Sequence, residues 1–215
     1  MLMENAKLRT EKDRQTTEKA LLQAVGEMVA ESGFEQLKVN AVAERAGVSK
    51  VLIYRYFGSL DGLIAAYIEA HDFWINYRSE FPGKRKQLAP YLKALFRAQV
   101  DHLRQDVTLR RLYRWELSGA NAVVAALRQQ REATGVRLVE AVAALTERPT
   151  AEVAPLATLV AASVSYLALL EESCPTYNGI ALQTQAGWEE YIRGVEEVID
   201  RWVEDSLAKR KSKAK

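Results

Sequence analysis

Apolar residues recur at intervals of three and four positions along almost the whole chain. One such stripe near the start contains Leu21, Val25, Met28 and Val29. These intervals match the 3.6-residue period of an amphipathic α-helix, whereas a half-buried strand needs sustained alternation with a period of two, which no segment shows. The pattern therefore predicts an all-α protein with about nine helices in its 215 residues.

Glycines and small capping residues predict where the early helices begin and end. Gly33 stops the first helix, and Gly47 ends a short second helix at about 39–46. Ser49 caps a third helix, which Gly58 closes.

Ser59 caps a fourth helix, which we predict to run unbroken through residues 60–77. Further helices are predicted at about 84–105, 107–117, 121–145, 150–172 and 184–209. The domain boundary is placed inside the fourth helix, which gives a small domain at 1–62 and a larger one at 63–215.

The composition excludes several classes of site. A single cysteine, Cys174, rules out an internal disulfide framework, and His71 and His102 stand far apart without CxxC or HExxH spacing. We therefore predict no metal and no cofactor. There is no nucleophile with a paired base and no phosphate-binding glycine loop, so the sequence does not indicate an enzyme. Cysteine usage and the lack of a signal-peptide core favour a cytoplasmic protein.

Residues 153–170 require a membrane test, because these 18 positions carry no charge and reach the lower length limit for a spanning helix. Small and polar residues dilute the apolar content, and Glu152, Glu171 and Glu172 flank the segment without a lysine or arginine cluster. A buried helix in a helical protein is favoured over a membrane span, and no membrane partner is predicted.

The stretch AGVSKVLIYRYF, residues 46–57, places residues that need burial and residues that need a polar partner on one short helix. Its aliphatic residues require burial, whereas its arginine and two tyrosines require a polar partner. No acidic residue occurs between Glu44 and Asp61, while Arg45, Lys50 and Arg55 supply positive charge in that gap. A local basic face of this kind suits a polyanion.

Two short helices joined through a glycine turn match the helix-turn-helix, whose second helix lies in the DNA major groove. Leu52, Ile53 and Phe57 would anchor this helix to its own domain. Lysine and arginine suit guanine acceptors or phosphates, Val51 suits a thymine methyl group, and tyrosine hydroxyls suit phosphate oxygens. On the turn alone, a helix hairpin without a DNA function remains an open alternative.

The context of the turn favours DNA binding, because the stretch VAERAGVSKVLIYRYFGSLDGL resembles the DNA-binding signature of the TetR family of transcriptional regulators. The matching positions are Val42 and Ala43, Ala46 to Ser49, Tyr54, Tyr56 with Phe57, and Leu63. The resemblance covers roughly residues 14–62. It implies an N-terminal three-helix DNA-binding domain followed by a larger helical domain for ligand binding and dimerisation.

Two positions depart from the family pattern. A lysine that meets the DNA backbone is common at the start of the fourth helix, where this chain has Leu60, and the usual Thr or Ser that opens the second helix is replaced by Lys38. A lysine at a helix N-terminus is disfavoured by the helix dipole unless an anion is present, and a DNA phosphate would be such an anion. We hypothesise that Lys38 makes the phosphate contact that Leu60 cannot make. The alternative is that Lys38 is solvated and Asn40 is the cap.

The predicted DNA-binding residues are therefore Lys38, Asn40, Ser49, Lys50, Val51, Tyr54, Arg55 and Tyr56.

The last two helices present surfaces that suit other helices. The spacing of four, three, four and three along the last helix predicts a seam for a partner helix. Both helices could pack inside one chain, but the family resemblance implies that they pair across a two-fold axis in a homodimer. The predicted dimer residues are Leu156, Leu159, Ser163, Tyr166, Trp188, Ile192, Val195, Ile199 and Trp202.

Aromatic residues in the middle helices supply enough surface to line a pocket for an apolar or amphipathic effector. The candidates are Trp74, Tyr77, Phe96, His102, Tyr113, Trp115 and Tyr166. Aromatics at helical spacing are more often core residues, so packing remains the simpler interpretation for each of them.

Together these features predict a dimeric regulator, acting as a repressor on a near-palindromic operator in double-stranded DNA and released by a small-molecule effector. The alternative is a helical interaction or ligand-binding module with a degenerate DNA-reading helix.

Overall fold

A computed structural model describes residues 2–76, 80–119 and 121–213, which form α-helices joined by short turns and contain no strand. The prediction of an all-α protein is confirmed. Within the described residues the helices are α1 (Leu2–Ser32), α2 (Val39–Arg45), α3 (Lys50–Phe57), α4 (Leu60–His71), α5 (Phe73–Asn76), α6 (Leu88–Gln105), α7 (Val107–Ser118), α8 (Ala122–Thr146), α9 (Thr150–Leu170) and α10 (Gln185–Lys213).

The predicted fourth helix, expected to run through residues 60–77, was wrong in its length. It ends at His71, because Asp72 adopts an extended conformation with φ −69° and ψ 130°. The fully buried Asp72 carboxylate then accepts a hydrogen bond of 3.1 Å from the backbone N–H of Ile75 and so caps α5. The predicted ligand residue Tyr77 lies outside the described residues.

The start of α6 also differs from the prediction. The chain forms a short 3₁₀ turn at Arg85–Gln87, and the α-helix begins only at Leu88 instead of near residue 84. The other predicted helices agree with the structure to within a few residues. Differences of this size are usual at helix ends, where 3₁₀ and α geometry compete.

The described residues divide into two compact units, the first containing 2–76 and 107–130 and the second containing 80–106 and 131–213. Compact units and functional domains need not divide a chain at the same point, so the functional boundary at residues 62 and 63 stays a prediction. In the first unit, α1 packs against α2, α4 and α7. Its buried core includes Leu21, Val25, Val29, Phe34, Val42, Ile53 and Leu63.

The second unit is built around α6, which packs against α9 and α10. One apolar cluster of this unit contains Leu88, Val142, Ala143, Val153, Ile199 and Val203. Ion pairs reinforce the packing of α6 against its neighbours: Lys93 bonds to Asp200 at 3.0 Å, and Arg97 bonds to Glu196 at 2.6 Å. These pairs are partly exposed, so each contributes only modestly to stability.

The helix α9 is more exposed than the buried helix that the sequence predicted. Val153, Val164, Leu167 and Ala168 face the interior, but other apolar positions of the same helix lie at the surface. By length and composition α9 could cross a membrane, and α3 with α4 passes the same test only as a bent pair. Core helices of soluble proteins pass this test as well, so it is weak evidence for a span.

Two glycines of α10 differ sharply in the space around them. A Cβ atom at the buried Gly187 would lie 2.1 Å from the carbonyl oxygen of Ala181, whereas one at the exposed Gly194 meets nothing within 4 Å. We expect Gly187→Ala to destabilise the protein by about 2 kcal/mol through overpacking. Gly194→Ala should stabilise it by up to about 1 kcal/mol, because alanine loses less backbone entropy in a helix. Urea unfolding of both variants measures this contrast, and equal effects would contradict it.

Candidate nucleic-acid interface

A tight turn sets the angle between α2 and α3. Gly47 adopts a positive φ of 66°, a conformation that glycine enters without strain from a Cβ atom. Around it the N–H of Gly47 bonds to the carbonyl of Glu44, and the N–H of Val48 bonds to the carbonyl of Ala43, each at 3.0 Å. Ser49 then caps α3, its hydroxyl accepting from the N–H of Val51 at 3.4 Å.

One side of α3 is fixed to the first unit. Ile53 has no exposed surface, and the helix packs against α2 and α4. Leu52 and Phe57 are half-buried beside it. Burial of an isoleucine side chain contributes about 1.5–3 kcal/mol, which holds the helix in one rotational setting about its own axis.

The opposite side of α3 faces solvent. Val51 is 63% exposed and Tyr54 is 52% exposed, while Lys50 and Arg55 are also exposed. Val51 and Tyr54 thus stay in solvent although the other side of the same short helix packs against the core. Together with two cations they form a surface with donors for phosphates and base edges and an apolar group for a thymine methyl.

Tyr56 is less exposed than these residues, because Arg14 of α1 lies over its ring. The Arg14 guanidinium lies 5.3 Å from the centre of the Tyr56 ring, and Arg55 approaches the same ring at 5.9 Å. Arg14 also pairs with Glu18 at 2.8 Å. A cation at this distance from an aromatic ring is attracted by the ring's quadrupole.

Arg14 thus stands beside α3, although it is 42 positions before Tyr56 in the sequence. Sequence reasoning missed it as a candidate DNA contact. No local pattern singles it out among the charged residues of α1, and only the packing of α1 against the following helices reveals its position.

Arg45 contributes less positive charge to the basic face than its position between Glu44 and Asp61 predicted. Both of its terminal nitrogens donate to the carboxylate of Glu31 on α1 at 2.8 Å, and Glu27 lies 3.6 Å away. The hydrogen bond from Arg45 lowers the pKa of Glu31 below its ordinary value, and Glu31 raises the pKa of Arg45. This pair compensates the charge of Arg45 and ties α2 to α1, so the exposed positive charge of α3 comes from Lys50 and Arg55.

Lys38 occupies the cap position of α2. Its backbone is extended, with φ −133° and ψ 139°, and its exposed side chain makes no capping hydrogen bond. Asn40 lies inside the first turn of α2, so the alternative that Asn40 is the cap was wrong. Leu60 is half-buried at the start of α4, where Ser59 caps the helix by accepting from the N–H of Gly62 at 3.0 Å.

The predicted effector residues are divided between the two units. Trp74, Tyr113 and Trp115 belong to the first unit, where the Trp115 ring stacks on Phe34 with centres 4.9 Å apart. Phe96, His102 and Tyr166 belong to the second unit. There Phe96 is buried, His102 is half-buried and Tyr166 is 53% exposed.

The predicted dimer residues also separate into two groups. In α10, Trp188, Ile192 and Ile199 are buried in the chain's own core, and the Trp188 indole N–H donates to the carbonyl of Leu182 at 2.7 Å. The seam of α10 is thus already covered within one chain, and these three residues have no surface left for a second copy. Val195 and Trp202 are half-buried beside the same core.

The α9 members of the set lie nearer the surface. Leu159 is 68% exposed and Tyr166 is exposed, whereas Leu156 is half-buried. Ser163 is half-buried and bonds to the hydroxyl of Tyr191 at 2.6 Å. Burial raises the pKa of Tyr191, and its hydrogen bond with Ser163 opposes this effect. An exposed apolar face of α9 therefore remains available to a partner.

Among the described residues, no group of three His, Cys, Asp or Glu side chains is arranged to hold a metal ion.

Comparison with known proteins links this geometry to one family. Residues 21–67, which include the last part of α1, all of α2 and α3 and most of α4, match the model of bacterial regulatory proteins of the tetR family. No curated protein matches the sequence.

Solved structures extend the likeness over most of the chain. A TetR-like transcriptional regulator from Rhodococcus sp. RHA1 is 21% identical, with 89% of this chain and 96% of that chain covered and a TM-score of 0.51. NalD, the secondary repressor of the MexAB-OprM multidrug efflux pump in Pseudomonas aeruginosa, is 16% identical, with 88% and 96% covered and a TM-score of 0.58. At these identities the similarity establishes the fold.

The Arg45–Glu31 pair generates a pH-dependent prediction. Because the pKa of Glu31 is lowered in the folded protein, its stabilising contribution is present above the ordinary carboxyl pKa and is lost as pH falls through the folded value. Glu31→Gln should therefore lower the urea midpoint at pH 7, and the difference from wild type should shrink as pH falls below the ordinary carboxyl pKa of about 4.3 and through the lower folded value. Urea titrations at several pH values measure it. A difference of the same size at pH 7 and pH 3 would show that the pair is not its cause.

Proposed function

Since this chain belongs to the TetR family of bacterial regulatory proteins, we propose that it is a cytoplasmic transcriptional repressor that binds a near-palindromic DNA operator as a homodimer. A small-molecule effector releases it from the operator. The observation that carries the proposal is the division of α3 into a buried side at Ile53 and an exposed side at Lys50, Val51, Tyr54 and Arg55. A helix held in this way can enter a major groove without unfolding its own core.

The exposed side supplies both kinds of contact that specific DNA binding needs. Lys50 and Arg55 reach guanine acceptors or phosphates, the Tyr54 hydroxyl bonds to phosphate oxygens, and Val51 packs on a thymine methyl group. Ser49 and Tyr56 lie near the two ends of the same surface. Lys38 adds a phosphate contact at the cap of α2, where its exposed side chain has no capping bond within the chain.

A homodimer explains how one short helix gains enough affinity and specificity. Two copies of α3 about 34–36 Å apart read successive major grooves of a near-palindromic site. We assign the dimer contact to the exposed apolar side of α9, where Leu159 and Tyr166 are exposed in the single chain. Burying this face in a second copy removes from water the apolar surface that α9 exposes.

The effector acts by binding two states of the protein unequally. One state holds the two α3 helices at a spacing that matches DNA, and the other does not. The coupling runs through α4, which packs against both α1 and α3.

Two other classes of function are the alternatives to a regulator. An interaction or ligand-binding module with a degenerate DNA-reading helix is supported by Leu60, which replaces the lysine of the family pattern at the start of α4. An enzyme has no support, since the sequence has no nucleophile with a paired base and no phosphate-binding glycine loop. Sequence-specific DNA binding separates the regulator from both.

Selection of bound fragments from a random double-stranded DNA library tests the proposal. We expect recovery of a near-palindromic sequence, and Tyr54→Ala should weaken binding to it by at least about tenfold, because each copy then makes one phosphate contact fewer in its half-site. Arg128→Ala is the matched control, since Arg128 is an exposed residue of the first unit paired with Glu116 on α7. Recovery of no preferred sequence would favour the degenerate module.

The salt dependence of operator affinity separates the phosphate contacts. Removing one phosphate contact lowers the slope of log affinity against log salt concentration by about one. Lys38→Ala should do so if Lys38 binds a phosphate in place of a lysine at position 60, and Arg14→Ala should do so if Arg14 reaches the backbone beside α3. An unchanged slope for either variant would show that its residue makes no phosphate contact. The proposal that α3 binds the operator would not be affected.

Charge substitution on α9 tests the assembly. Leu159→Glu and Tyr166→Glu should each weaken the dimer by at least about tenfold, because a carboxylate would be buried without a partner. Leu117→Glu is the matched control, since Leu117 on α7 is also strongly exposed. Sedimentation velocity over a range of protein concentrations measures the monomer fraction. The assignment would be contradicted if Leu117→Glu dissociated the dimer, or if the dimer stayed intact in both α9 variants.

A further inference from the structure

Residues 209–215 hold the densest run of positive charge in the sequence. They contain five lysines and arginines and no acid, and the last acid before them is Asp205. Residues 1–208 carry 25 basic and 28 acidic side chains, so their formal charge is −3, whereas the whole chain has a formal charge of +2. The positive balance of the protein therefore comes from these seven residues, which we call the basic segment.

Helix α10 extends beyond the last buried position that the structure describes on it. That position is Val203, and the exposed residues Glu204 and Asp205 follow it. The helix continues to Lys213, about 15 Å further along its axis. Lys215 lies outside the described residues. The basic segment thus begins after the described core contacts of α10 have ended.

Pairing along the helix accounts for only one charge of the basic segment. Asp205 stands four positions before Lys209, a spacing at which opposite charges on a helix attract each other. Arg210, Lys211 and Lys213 have no acid within four positions on either side. Cations near a helix C-terminus complement the helix dipole, but repulsion between like charges one turn apart opposes this gain. The segment therefore suits a partner that carries several negative charges.

Double-stranded DNA fits this requirement better than a lipid surface does. A helix that lies on a membrane needs large apolar residues opposite its cations, and residues 206–215 contain only one, Leu207. DNA requires no apolar face, because lysine and arginine neutralise its phosphates and release counterions. The exposed side of α3 has two cations, Lys50 and Arg55, and the chain before the basic segment is net negative. The segment therefore supplies attraction to DNA that the rest of the chain lacks.

We propose that the basic segment is a second DNA-binding element, which contacts the phosphates of double-stranded DNA without regard to base sequence. It acts in addition to α3, whose exposed side reads base edges in the function proposed above. Its attraction opposes the repulsion between DNA and the net negative remainder of the chain. Contacts of this kind hold a protein on DNA while it slides and hops along the duplex.

Binding of the full chain to a labelled duplex of arbitrary sequence tests the proposal. Fluorescence anisotropy gives the affinity at several salt concentrations, and the slope of log affinity against log salt concentration reports how many phosphates the protein neutralises. The test variant combines Arg210→Gln, Lys211→Gln and Lys213→Gln, which removes three charges without a nearby acid.

A matched control removes the same number of charges elsewhere in the second unit. It combines Lys84→Gln, Lys86→Gln and Arg193→Gln, three exposed cations that make no ion pair with the described residues. Both variants therefore have the same net charge, and they differ only in where the charge was removed.

The variant of the basic segment should lower the slope by about two to three for each chain that contacts the duplex. It should also weaken binding by at least about tenfold at low salt, because three phosphate contacts are lost. The control should change the slope by less than about one, since its cations do not belong to the proposed contact.

Three results with the duplex would overturn the proposal: no binding by the wild type at low salt, the same slope for wild type and segment variant, or an equal loss of slope in the control. Vesicles of phosphatidylcholine and phosphatidylserine provide a further comparison. If the segment substitutions weakened binding to these vesicles and left the DNA slope unchanged, the partner would be a membrane surface and the proposal would be wrong.

The duplex contains no operator, so this measurement does not depend on sequence preference. A chain that selects no operator can still show the expected slopes, and a chain that selects one can fail to show them. Failure here is therefore distinguishable from failure of the operator selection, which depends on α3.

Discussion

The burial of Ile53 is the constraint on which the geometry of the exposed side of α3 depends. With seven residues in α2 and eight in α3, neither helix is long enough to persist alone in water. Tertiary contacts must hold both, and on α3 they act through a single fully buried side chain with two half-buried neighbours. Because side chains follow the helical period, fixing Ile53 inward leaves Val51, Tyr54 and Arg55 on the outer side. The exposed surface is thus a direct result of the core contact.

Electrostatic pairing then decides which of the nearby cations remain for a polyanion. Arg45 is committed to Glu31 through two hydrogen bonds, so its charge serves to join α2 to α1. The Arg14 guanidinium lies against Tyr56 at the edge of α3 and is itself paired with Glu18. The acid-free gap between Glu44 and Asp61 contains Arg45 but not Arg14, so the sequence alone showed neither that Arg45 is paired nor that Arg14 lies beside α3.

Local signals predicted much of the fold and of the local structure around α3. Gly47, Ser49 and Ser59 act within a few residues of their own positions, and their turn and caps appear as the sequence indicated. The break at Asp72 was missed, because an apolar helical period continues on both sides of it and a carboxylate can cap a new helix as readily as it can sit on a surface.

Contacts between distant segments were harder to predict. The spacing of Trp188, Ile192 and Ile199 indicates a helix seam but does not identify the partner, and the seam is filled within the chain. The pairing of Arg14 with Tyr56 depends on packing between segments far apart in sequence. A hydrophobic pattern defines faces, and tertiary structure decides what covers them.

In the coupling proposed through α4, the break at Asp72 limits the length of the lever that this helix can form. Its 12 residues make a rigid arm about 18 Å long. A rotation of about 5° at the Asp72 end would move the Ser59 end by only about 1.6 Å, a displacement that still stretches a hydrogen bond of ordinary length beyond its range. A longer, unbroken helix would move its far end further for the same rotation, so the break at Asp72 sets a small displacement for a given angular input.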